Sequence, residues 1–303
     1  MGALTLNYIL LAAASSLCFA ITNIIDKHMV SRWVKKPLTF TVVINLLETV
    51  WMLALILPWR GFHLLPLPLL LMSLGLGGFF TLYIWPYVKA LSIEEASRVI
   101  PIFQLSPIFV FFLSMFFIHE SLTSKLLVGF VLLIVGGFLI SLKSIRGIFK
   151  LSTAFYFMLL ASLMWAVIMV SQKYLFGLAD FFDVFVWSRI GALMVALAIL
   201  LSSSVRRDLF SILRKAPVRV KSVLIANEGV AVAAFFLGGL ALTLGPASIV
   251  SALNGLQPLF VLAIAIILSL WLPSFLKEDL AKTNILLKIA AILIIFAGLW
   301  LVY

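Results

Sequence analysis

The sequence predicts an all-α polytopic membrane protein whose ten transmembrane helices form two inverted five-helix repeats. Three observations lead there: the composition, ten apolar runs of spanning length, and a twenty-residue motif that occurs twice. Of 303 residues, 64% are hydrophobic and 11% charged, whereas a soluble domain is roughly half apolar and a quarter charged. The mean hydropathy is +1.25, and no polar segment is long enough for a soluble domain. The net charge of +11 does not point to nucleic acid, because the basic residues lie between apolar runs and set topology. A lone Cys18 excludes an intramolecular disulfide.

Apolar runs that can cross a core about 30 Å thick occur near 7–29, 38–58, 67–90, 97–118, 125–143, 152–175, 181–203, 220–243, 247–271 and 285–302. They are continuous and do not alternate, so helices rather than barrel strands are expected. The first run has no Lys or Arg before it, and Leu17 precedes Cys18, which reads as a retained helix rather than a cleaved signal. Pro37, Pro66, Pro217, Pro246 and Pro273 stand at or near helix ends, where a missing N–H costs little.

The motif joins helices 3 and 4 and again helices 8 and 9. "ALSIEEASRVIPIFQLSPIF" (90–109) matches "ALTLGPASIVSALNGLQPLF" (241–260) without gaps at Ala90, Leu91, Ala96, Ser97, Val99, Leu105, Pro107 and Phe109. About two identities would arise by chance, so an internal duplication is expected. Helix 1, "SLCFAITNIIDK" (16–27), likewise matches helix 6, "SLMWAVIMVSQK" (162–173). The units are then 1–150 and 151–303, and an odd number of spans repeated in tandem enters the membrane in opposite senses, as in many secondary transporters. Eighteen of 22 Lys and Arg fall on one face, with Arg60, Lys125 and Lys173 on the other and Arg189 inside a helix. That bias predicts a cytoplasmic basic face and both termini outside.

The pattern "ALSxxxASxVxPxxxLSPIF…HESL…GFVLLIVGG" (90–137), with its weaker copy "ALTLGPASIVSALNGLQPLF…KEDL" (241–280), resembles the EamA-type branch of the drug/metabolite transporter superfamily. The resemblance implies a secondary transporter, often an exporter of amino acids or related metabolites, in a prokaryotic cytoplasmic membrane. Helices 1–4 and 6–9 would line a central cavity, with helices 5 and 10 peripheral. Glu120 matches the family's acidic residue after helix 4, and Glu278 matches approximately. Many members are thought to keep both termini in the cytoplasm, and the charge bias here says the reverse.

Ionisable residues inside spans are the candidate site, because a buried charge must find protein, water or substrate as a partner. Glu48 lies mid-helix in "INLLETVW" one turn after Asn45, Arg189 lies in "VFVWSRIGAL", and Glu228 sits beside Asn227 in "LIANEGVAV". Arg189 would hold a carboxylate or phosphate while Glu48 or Glu228 takes an amine or a coupling proton. Alternatively, Arg189 pairs with one glutamate to orient helices, leaving the other free. Gln104, Asn254 and Gln257 add polar groups in helices 4 and 9, either toward substrate or as interhelical hydrogen bonds. Trp85 and Trp165 are candidates for substrate stacking, with packing as the alternative. Pro86, Pro107 and Pro258 are expected as helix breaks or hinges. Asp26, Lys27 and Lys173 read as solvated or snorkelling charges.

No nucleophile elbow, Walker A loop or metal-ligand spacing occurs, so the expectation is a non-enzyme with no cofactor or metal, driven by a proton or substrate gradient. Its partners would be a small-molecule substrate, the lipid bilayer and a coupled proton, and the chain would be a monomer or homodimer. A lipid or nucleotide-sugar carrier, and a membrane enzyme or scaffold, remain open alternatives.

Overall fold

In lipid a backbone amide has no water to bond, so spanning segments must satisfy their polar groups internally. The computed structural model describes residues 2–34, 36–56, 58, 61–93, 102–141, 152–271 and 285–303, and among these every regular element is helical. The elements are α1 (Gly2–Arg32), α2 (Pro37–Ile56), α3 (Leu67–Ile93), α4 (Ser106–Phe117), α5 (Ser124–Ser141) and α6 (Thr153–Leu178). They continue with α7 (Phe181–Ile199), α8 (Ser203–Lys215), α9 (Val218–Leu244), α10 (Ala247–Leu253), a 3₁₀ turn (Asn254–Leu256), α11 (Gln257–Trp271) and α12 (Ile285–Val302). Ala96, Ser97 and Val99 of the repeated motif, and Glu278, lie outside the described residues.

Among the described residues, seven helical spans are long and apolar enough to cross a bilayer, and three further apolar helices are shorter. Among the described residues, the connection between α6 and α7 is two residues long and capped by a side chain. Asp180 accepts from the Phe182 N–H at 2.9 Å at the start of α7, and Pro246 directly precedes α10.

One expectation needs correction. Pro86, expected as a break, lies buried within a helix that runs unbroken from Leu67 to Ile93, which intramembrane packing tolerates. The helical ladder is interrupted just before the other two prolines, at Gln104–Leu105 and at the 3₁₀ turn Asn254–Leu256, and each proline occupies the second position of the helix that follows. A further helix, α8, was not expected at all.

The two halves of the chain interleave. α1 lies along α9, α3 along α7 and α6, and α2 between α7 and α9, while α5 pairs with α12. Close approach requires missing side chains at the α3–α7 crossing. A Cβ on Gly77 would collide with the Ser188 carbonyl, and one on Gly191 with Leu74. Loop contacts fix which ends share a face. Lys36 pairs with Asp208 at 2.6 Å, His63 N–H donates to Asp183 at 2.8 Å, and Glu120 bonds the start of α10.

Candidate functional site: a buried charge network

On α2, Thr41, Asn45, Glu48 and Thr49 recur at helical spacing and are all buried, so the helix carries a polar stripe into the protein. Asn45 Nδ2 donates to the Thr41 carbonyl at 2.8 Å, and its Oδ1 accepts from Thr81 of α3 at 3.2 Å. This holds the stripe against α3 and presents Glu48 one turn later.

Glu48 meets Arg189 of α7. Arg189 Nη1 donates to Glu48 Oε2 at 2.7 Å, and the two side chains are 5% and 2% exposed. The guanidinium also lies 4.6 Å from the Phe80 ring centre and 4.5 Å from that of Phe235. Ring faces attract a desolvated cation, so two aromatics and one carboxylate share the cost of burying it. Arg189 further borders a small cleft with Leu76, Gly77, Ile168, Gln172 and Ser188.

Asn227 and Glu228 on α9 extend the network to α1. Asn227 Nδ2 donates to Asp26 at 2.7 Å and to Glu228 at 3.1 Å. Two carboxylates need a donor between them, which fixes the amide's orientation. Asn227 Oδ1 is then left buried without a hydrogen-bond partner. Glu228 lies within Coulombic range of both Asp26 and Glu48. Three acidic side chains and one arginine from α1, α2, α7 and α9 are thus gathered inside the bundle.

A continuous aromatic wall adjoins them. Phe235 packs edge-on against Phe80 at 5.1 Å and Phe19 at 4.9 Å. Trp165 stands 5.4 Å from Tyr83, which neighbours Tyr87 at 6.0 Å. Tyr87 in turn lies within Coulombic range of Asp26.

Arg189, Glu48, Asn45, Asn227 and Glu228 therefore come together, with Trp165 in the adjoining wall. Trp85 does not belong: it is 38% exposed and packs edge-on against Phe157, because its position on α3 turns it outward. Gln104, Asn254 and Gln257 sit at the helix breaks, and among the described residues none hydrogen-bonds to the charged network. Asn254 Nδ2 instead approaches Met169 Sδ at 4.0 Å.

Asp26, expected as a solvated or snorkelling charge, is half-buried and accepts from Asn227 at 2.7 Å, and α1 continues past it to Arg32. The "NIID" run within an apolar span was the available signal. Lys173, under the same expectation, is half-buried. Its Nζ donates to the carbonyls of Leu242 and Gly245 at 2.6 and 2.8 Å, compensating the negative end of α9. Across the same junction Glu120 accepts from the Ala247 and Ser248 N–H groups at 2.9 and 3.1 Å and from Ser248 Oγ at 2.6 Å. His119, at φ 53°, makes the left-handed turn that precedes this carboxylate.

Among the described residues no three His, Cys, Asp or Glu converge as a metal site. A crystal structure matches 98% of this chain and 94% of its own at a TM-score of 0.63 and 16% identity, which shows a shared fold. Comparison with curated proteins gives no match. Residues 6–142 match the sequence model of the EamA-like transporter family. These residues run from α1 to α5, include Asp26 and Glu48, and make up less than half of the chain.

Proposed function

We propose that the protein is a secondary active transporter, an exporter of small amino-acid-like metabolites that works by alternating access around the buried network. The carrying observation is Asn227, whose amide joins Asp26 to Glu228 while its Oδ1 has no partner. Burying such an acceptor is costly unless a donor arrives, and an ammonium group brings up to three. With Glu48 engaged by Arg189, Asp26 and Glu228 are the acids left for an amine or a coupling proton. Arg189 borders the cleft and is the group for a substrate carboxylate. The aromatic wall accommodates an apolar side chain.

An excess of carboxylates over guanidinium favours an amine-bearing solute over a nucleotide sugar. Loop contacts between 36 and 208, 63 and 183, and 120 and 247 support ten alternating spans and hence inverted halves at 1–150 and 151–303. The test is efflux from proteoliposomes loaded with single radiolabelled amino acids. Saturable efflux that free amines slow from outside, and N-acetylated analogues do not, is expected. Absence of any protein-dependent flux would overturn the reading.

A further inference from the structure

We infer that α8 is an interfacial helix whose outer face binds the anionic headgroups of a lipid leaflet. The helix links two membrane spans, Phe181–Ile199 and Val218–Leu244, through connectors of only a few residues. It spans about 20 Å at 1.5 Å per residue and has no room to leave the membrane surface.

Its sequence, "SSVRRDLFSILRK", divides by face. Val205 is buried, and Leu209 and Ile212 pack against the core, so this stripe docks the helix on the protein. Lys36 holds it from α2's end through Asp208 at 2.6 Å, using the acid that α8 contains. Phe210 and Leu213 are 57% and 50% exposed on the other side. Arg206, Arg207, Arg214 and Lys215 flank them and are exposed, with Arg219 and Lys221 following on α9. An apolar centre bordered by cations is the pattern that inserts shallowly between acyl chains while placing charge at the phosphates. Zwitterionic lipid would satisfy the apolar centre alone. The surplus of cations selects an anionic partner.

The single cysteine makes a direct test available. Cys18→Ser with Phe210→Cys places one bimane label on the outer face, in protein reconstituted in phosphatidylcholine–phosphatidylglycerol vesicles. Spin-labelled lipid of either headgroup is added at equal fraction. Spin-labelled phosphatidylglycerol is expected to quench about twofold more than spin-labelled phosphatidylcholine, with the difference shrinking at 1 M salt, where the screening length falls to about 3 Å. Replacing Arg206, Arg207, Arg214 and Lys215 with Gln should also equalise the two lipids. Equal quenching in the unsubstituted charge background would overturn the anionic preference. No quenching by either lipid would overturn the interfacial placement.

Discussion

Arg189 of α7 donates to Glu48 of α2 across 2.7 Å, with both side chains shut away from solvent. The pair locks together helices from the two halves of the chain. Removing one member strands a charge, at about 3–5 kcal/mol. Glu48→Leu and Arg189→Met should therefore each lower the melting temperature in detergent, and the double variant should regain most of the loss. Strictly additive losses would mean the pair is not coupled.

Glu120 compensates the opening amides of α10, and Lys173 the closing carbonyls of α9. Charged hydrogen bonds of this kind contribute about 1.5–3 kcal/mol. Glu120→Gln should raise hydrogen exchange in peptides covering 242–250 while leaving α3 and α7 protected. Unchanged exchange there would show that the carboxylate is dispensable.

Gly77 allows α3 to touch α7, so Gly77→Ala should reduce stability sharply, whereas Gly75, which has open space around it, should accept alanine. A loss beyond the few kcal/mol typical of overpacking would appear as failed expression. Thermal denaturation of the two variants side by side separates them, and equal behaviour would contradict the close crossing.

Pro258 sits in the first turn of α11 directly after a 3₁₀ turn, where alanine restores at most one backbone hydrogen bond. Pro258→Ala is expected to change stability by less than about 1 kcal/mol and to leave flux within about twofold. A folded variant without flux would show the proline to act as a hinge.

Much of the fold was legible because hydropathy marks a lipid-exposed helix directly. α8 escaped for the opposite reason. Its charges mask the Val205, Leu209 and Ile212 stripe in any search for apolar runs, although the helical spacing was there to read. Two of the three expected helix interruptions stand directly before Pro107 and Pro258, whereas Pro86 gave a false signal because α3 runs through it. At the site, intramembrane charge singled out Glu48, Arg189 and Glu228. Which glutamate takes the arginine depends on how α2 and α7 pack, and residues 141 apart carry no local signal of that. Asp26 was lost through a helix end placed too early, and Asn227's unpartnered oxygen is visible only once Asp26 and Glu228 stand on either side of the amide.

The central claim is that the Asp26–Asn227–Glu228 group receives the amine of a transported solute. Counterflow in proteoliposomes, with each protein amino acid radiolabelled in turn, tests it most directly on wild type and Asp26→Asn. The account predicts exchange in wild type, and in Asp26→Asn a loss of at least about tenfold at an unchanged melting temperature. Full exchange by a folded Asp26→Asn protein would contradict it.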